Sequence, residues 1–182
     1  GYYYDYGREI DESERVRFVP NETAPDFDPA QAPRLDSANW PEERLQKVER
    51  AYAMEYVRSM VPTLFAMHDA DEAGALLART ARLIGMQFYD ETAALLGING
   101  KSAESFITYF ANIAVAQGED VSVDANGLHQ RGWRLMDGIG QTAAVFQAWN
   151  ALWEGALAAH NRRLKLKAVS DAGNISWSVL PS

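Results

Sequence analysis

The stretch VFQAWNALWEGALAAHNRR, residues 145–163, carries one carboxylate, Glu154, among alanine, tryptophan, leucine and amide side chains. Between Arg134 and Arg162 there is no Lys or Arg, and the only other acid is Asp137. A solvent-facing helix surface would hold several charges. Projected at helical periodicity, one side of this segment is small: Ala148, Ala151, Gly155, Ala158 and Ala159. The other side carries Asn150, Trp153, Glu154, Leu157 and Asn161, with Trp149 and His160 at its border. A carboxylate in such a setting must be paired or protonated, and an apolar pocket would raise its pKa toward general-base use. The chemistry implied is proton abstraction by Glu154, with Asn150 orienting a substrate and Trp149 and Trp153 forming apolar walls. The alternative is a structural ion pair with an arginine such as Arg134 or Arg162.

Two histidines could complete an acid–base pair. His160 lies near Glu154 in sequence. His129 alternates with Arg131 and Trp133 along a strand pattern; with Trp133 inward, it would face the helix of Glu154. The alternative for His129 is a strand-end side chain bonded to backbone or water. Arg134 and Gln87 join the candidate binding residues. Gln87 falls in line with Ile84 and Phe88, where a buried amide needs a partner. His68, Asp69 and Asp71 lie close together, but their spacing fits no zinc or EF-hand pattern, and helix capping accounts for the acids. No metal site is expected. The chain has no G-x-S-x-G, Walker A or G-x-G-x-x-G, and the sequence names no particular cofactor.

The elements that must position these residues follow from periodicity. Pro41 with Glu42 and Glu43 opens a helix running to about Met60, where Pro62 should kink or end it. Leu45, Val48, Tyr52 and Tyr56 keep its helical spacing. Asp69 or Asp71 caps a second helix with the stripe Leu76, Leu77, Thr80, Leu83, Ile84, Gln87, Phe88 and Leu95, stopped by Gly97. Ser102 caps a third, through Phe106, Tyr109, Phe110 and Ile113. The period then changes to two: DVSVDANGLHQRGWRL reads as a hairpin turning at Asn126-Gly127. The helix of Glu154 spans about Thr142 to Asn161. A second hairpin follows, with Leu164, Leu166 and Ala168 on one face and Arg163, Lys165 and Lys167 on the other, answered by Ile175, Trp177 and Val179. The expected fold is α+β: three N-terminal helices, then ββ-α-ββ, with a four-stranded antiparallel sheet against helices.

Residues 1–40 differ from this domain of residues 41–182. They hold four of seven prolines, nine acids and four arginines, together with Tyr2, Tyr3, Tyr4, Tyr6, Phe18, Phe27 and Trp40. They read as an extended arm that lies either on its own domain or on another subunit, so a homo- or hetero-oligomeric protein partner is expected through it. The net charge of −8 argues against nucleic-acid and anionic-membrane partners. There is no cysteine, hence no disulfide or thiolate chemistry, which agrees with a cytoplasmic protein. No apolar run is long enough to span a membrane. No leader segment is expected, although the chain opens at Gly1 rather than Met.

ARLIGMQFYDETAALLG, RGWRLM and AWNALWEGALAAHNRRLKL followed by GNISWSV resemble the L-2-amino-thiazoline-4-carboxylate hydrolase-like family of small bacterial helix-plus-sheet proteins, over about residues 45–180. The resemblance implies hydrolysis of a C–N bond in a small cyclic substrate. Two functions of different class follow. One is a small hydrolase-like protein within an oligomer, using Glu154, His129 and His160. The other is a non-catalytic or site-completing small subunit of a hetero-oligomeric enzyme, docked through its arm.

Overall fold

A computed structural model describes Asp11, Asp26 and residues 28–31, 40–139, 142–171 and 173–182. The chain divides into two units, 1–39 and 40–182. In the first, the described part is a 3-10 turn, Pro29–Gln31, held by the Asp28 carboxylate, which accepts from the Ala30 backbone N–H at 2.9 Å. The rest of the arm reading lies outside the described residues.

The second unit runs α1 (Glu42–Met67), α2 (Ala70–Leu95), α3 (Ala103–Ala116), β1 (Asp120–Asp124), β2 (Gly127–Arg131), α4 (Ala143–His160), β3 (Leu164–Asp171) and β4 (Asn174–Pro181). The α+β reading holds. The four strands form one antiparallel sheet in the order β1-β2-β4-β3. Alternation sends Leu128, Gln130, Ile175 and Trp177 inward and leaves serines, lysines and His129 on the other face. The inward residues meet α3 and α4, where Phe110 stacks on Trp153 at 3.7 Å between ring centroids and packs against Trp177 at 4.8 Å.

Helix termini follow local chemistry. Asp69 caps α2 by accepting from the N–H groups of Asp71 and Glu72, Ser102 caps α3 and Thr142 caps α4. Gly97, at φ +68°, turns the chain after α2. The first hairpin turns one residue earlier than the sequence suggests. Its loop is Ala125-Asn126, and Gly127 pairs with Asp124 as the first residue of β2. Asp124 draws the loop closed by accepting from the N–H groups of Asn126 and Gly127. Gly127 is needed because a Cβ there would fall 1.9 Å from the Trp177 carbonyl oxygen.

Three further expectations change. Helix α1 does not stop near Pro62 but continues to Met67. Val61 is buried and Leu64 and Phe65 are partly buried, so tertiary packing holds the last two turns despite the hydrogen bond that proline cannot donate. The Leu45, Val48, Tyr52 and Tyr56 side of α1 faces outward, and the helix packs through Met54, Val57 and Val61 instead. Most of the α2 stripe also faces outward: Leu83, Ile84, Phe88 and Leu95 are exposed and so is Gln87, while Gly74, Leu77, Gly85, Tyr89 and Ala93 are buried.

For α2 the cause is one helix crossing. A Cβ on Gly85 would sit 2.0 Å from the Leu152 carbonyl oxygen, and a Cβ on Gly155 would sit 2.1 Å from that of Arg82. Helices α2 and α4 therefore meet backbone to backbone, which only the glycine and alanine side of each helix permits. We expect Gly85→Val and Gly155→Val each to cost about 3 kcal/mol or more in urea unfolding, since overpacking with no room to relax is among the costlier core changes. Leu83→Ala, at a position 59% exposed, should cost less than about 1 kcal/mol. Reversed magnitudes would mean that α2 packs by its leucine side after all.

Candidate functional site

Glu154 projects from the middle of α4, one residue before the Gly155 crossing, and so emerges at the seam with α2. There its Oε2 meets Arg82 Nη1 of α2 at 3.1 Å. Both side chains are about half exposed, 47% for Arg82 and 48% for Glu154. The arginine partner is thus neither Arg134 nor Arg162. An exposed pair of this kind contributes about 0–1 kcal/mol. It forms the rim of a groove of about 550 Å³ between α2, α4 and edge strand β3. Met86, Leu157, Leu164 and Leu166 supply the apolar lining, and Arg162 adds a second guanidinium. The size suits a small ligand. In a chain of net charge −8, the groove gathers Arg82, Arg162 and Lys165 around a single carboxylate. It can hold a small anion by its cations, and Glu154 can accept a proton from a bound water or amine.

The histidines lie elsewhere. His160 is 3% exposed in a polar pin at the end of α4. Its Nε2–H donates to the Ser102 carbonyl at 2.9 Å, and its Nδ1 accepts a short hydrogen bond from the Tyr89 hydroxyl. Phe106 and Tyr89 pack against the ring. This pin joins α4 to α2 and to the start of α3. Burial holds the His160 pKa below its ordinary value, with the charge of Lys101 adding to the shift.

His129 is on the sheet face away from the helices, opposite to the expectation that it shares the side of Trp133. Leu128 and Gln130 take the inward positions, and Gly132, at φ +73°, breaks the alternation before Trp133 turns inward. His129 Nδ1 lies 2.9 Å from Ser176 Oγ, and its Nε2 lies 3.0 Å from Asp124 Oδ1. That hydrogen bond, with a further one from the Asn126 backbone, holds the Asp124 carboxyl below the usual range. Glu154, His129 and His160 are therefore not brought together.

The remaining candidates are mostly structural. Asn150 Oδ1 accepts from the Trp177 indole at 2.8 Å and spans α4 and β4. Trp133, Trp149 and Trp153 pack in one aromatic cluster, not on the groove, and their indole N–H groups are buried without a hydrogen-bond partner among the described residues. Arg134 is exposed, with Nη1 donating to the Gly118 carbonyl at 3.4 Å. Gln87 is exposed on α2. His68 pairs with Glu72 at 3.1 Å beside the Asp69 cap.

The buried carboxylate is one that sequence reasoning passed over. Glu119 lies between α3 and β1 and accepts from the backbone N–H groups of Arg134 and Leu135, both at 2.9 Å, and from Gln130 Nε2 at 3.1 Å. It ties the chain after β2 back to the start of the sheet. Its one sequence signal is an acid directly after a helix-ending glycine, which is too common to single it out.

The His160 pin has a pH consequence. Its folded pKa is depressed, so stability is full above the ordinary value of 6.5 and falls as pH drops below it, because only the unfolded chain then takes the proton. His160→Gln keeps an acceptor and a donor without a titrating ring. It should lower stability by about 1–3 kcal/mol at pH 8 and flatten the fall between about pH 6.5 and 5, read by chemical unfolding across that range. Parallel pH curves for the two proteins would remove His160 as the titrating group.

Among the described residues, no helix is long and apolar enough to cross a membrane. Compared with known proteins, the chain matches no family model, no curated protein and no solved structure.

Proposed function

We propose that this protein is a subunit of an oligomeric assembly and docks through the outward sides of α1 and α2. One observation carries the reading. Of the fifteen large apolar side chains exposed among the described residues, ten lie on these two helices. A helix that is apolar on two opposite sides is normally buried on both, and contiguous exposed apolar surface marks an interaction site. The aromatic, proline-rich composition of residues 1–40 supports a contribution from the arm, and the cysteine-free sequence supports a cytoplasmic setting. Native mass spectrometry of the protein purified from its source should give a mass above that of one chain. Phe88→Glu or Tyr56→Glu should lower that mass while the far-ultraviolet circular dichroism stays the same. A single-chain mass throughout would exclude the reading.

The groove favours a second reading, a small hydrolase acting on a C–N bond of a small, possibly cyclic substrate. Its support is the placement of Glu154 beside Arg82 and Arg162 over an apolar lining. Glu154 would take a proton from water as that water adds to the carbon and would return it to the nitrogen as the C–N bond breaks, while the arginines hold an anionic substrate; neither histidine takes part. Glu154→Gln should then abolish turnover of 2-amino-thiazoline-4-carboxylate and shift stability by less than about 1 kcal/mol, because its ion pair is exposed. Equal turnover by the variant, or none by the unaltered protein, would rule out this use of the groove.

A further inference from the structure

We infer that the outward face of α1 is a self-association surface, which pairs antiparallel with α1 of a second copy about Tyr56. The inference rests on the docking reading above and names the occupant.

The face is continuous. Val48, Tyr52, Tyr56, Met60 and Met67 are all exposed, with Leu45 half-buried at its start. They lie on the side of α1 away from Met54, Val57 and Val61, which pack on the domain. The two tyrosines, 67% and 64% exposed, are already ordered against each other: their hydroxyls are 3.1 Å apart and their rings meet edge to face at 5.2 Å. Large side chains fixed in this way lose little freedom on association.

The face is also self-complementary. Leu45 and Met67 stand eleven residues either side of Tyr56, and Tyr52 and Met60 stand four residues either side. Eleven residues are close to three helical turns, so all these positions fall on one line. Reversing one copy about Tyr56 sets Leu45 against Met67 and Tyr52 against Met60. Charge selects the same direction. All charged residues of α1 lie between Glu42 and Arg58, and residues 59–67, SMVPTLFAM, carry none. A parallel pair would bring Glu49 against Glu49, whereas the antiparallel pair brings it against Thr63.

The area suffices. The helix has 26 residues and is therefore about 39 Å long. The tyrosines each bring a ring of about 200 Å². Covering the strip on both copies removes on the order of 1,000 Å², the lower bound for a specific contact. A second copy meets these requirements with no further component. A membrane surface fits less well, because the flanks of the stripe carry acids as well as bases and the chain is net −8.

The test uses the full chain. Light scattering after size exclusion at about 100 µM should give twice the 20.2 kDa chain mass, returning toward one chain on dilution. Tyr52→Glu with Tyr56→Glu should give the single-chain mass at both concentrations with an unchanged far-ultraviolet circular dichroism spectrum. The chain has no cysteine, so single cysteines report direction cleanly. Leu45→Cys mixed with Met67→Cys should form a disulfide-linked pair under mild oxidation, and neither variant should do so alone. Self-cross-linking of Leu45→Cys would overturn the antiparallel pair, and a dimer insensitive to the two glutamates would overturn the surface. A single-chain mass at 100 µM would overturn self-association altogether. In that case, a different polypeptide held by the protein from its source would leave the docking reading standing, and its absence would remove both. Binding to anionic vesicles by the single chain would likewise overturn the self-pairing in favour of a lipid surface.

Discussion

The backbone approach of α2 and α4, Gly85 against Leu152 and Gly155 against Arg82, governs how these two helices are arranged. Two helices that touch main chain to main chain cannot place leucine or phenylalanine between them. Helix α2 must therefore present glycine and alanine to α4 and turn its larger side chains elsewhere. Leu77 and Tyr89 are the exceptions, and the Tyr89 hydroxyl reaches His160 from inside the fold. Helix α4, filled on one side by α2, uses Trp153 and Leu157 to cover the sheet. Glu154 is carried to the open seam by the same geometry, one residue from the crossing, where Arg82 meets it. The groove beside that pair is a product of how closely the helices approach.

Polar groups then fix what the crossing leaves free. His160 joins three helices at one end of α4, Asn150 fastens its middle to Trp177 on β4, and Glu119 gathers two backbone N–H groups and the Gln130 amide at the other end of the sheet. Each satisfies a buried group that would otherwise cost about 1–3 kcal/mol. These residues hold the core together, whereas the exposed charges of the groove contribute little to stability and are free to meet a ligand. The outward sides of α1 and α2 are apolar surface left exposed among the described residues.

Much of the secondary structure could be read from local chemistry. Asp69, Ser102 and Thr142 act as caps because a side-chain oxygen beside unpaired N–H groups is a local matter, and the inward run Leu164, Leu166, Ala168 answered by Ile175, Trp177 and Val179 follows from the two-residue period of a strand. The α+β class and the four-stranded antiparallel sheet follow from the same signals. The candidate site was legible only in part. Glu154 does border a groove with arginines, but its partner, Arg82, is 72 residues away in sequence. His129 was misplaced because one glycine, Gly132, reverses the face on which the next side chain lands.

Composition and periodicity thus determined which segments are helix or strand, where most of them begin and end, the C-terminal end of α1 excepted, and that the strands have one apolar face. Tertiary structure alone decided which side of each helix is inside. Periodicity marks every apolar stripe alike, and α1 and α2 each have two. For α2 the choice was made by how closely it can approach α4, a distance set by the absence of a Cβ on each of two residues far apart in the chain.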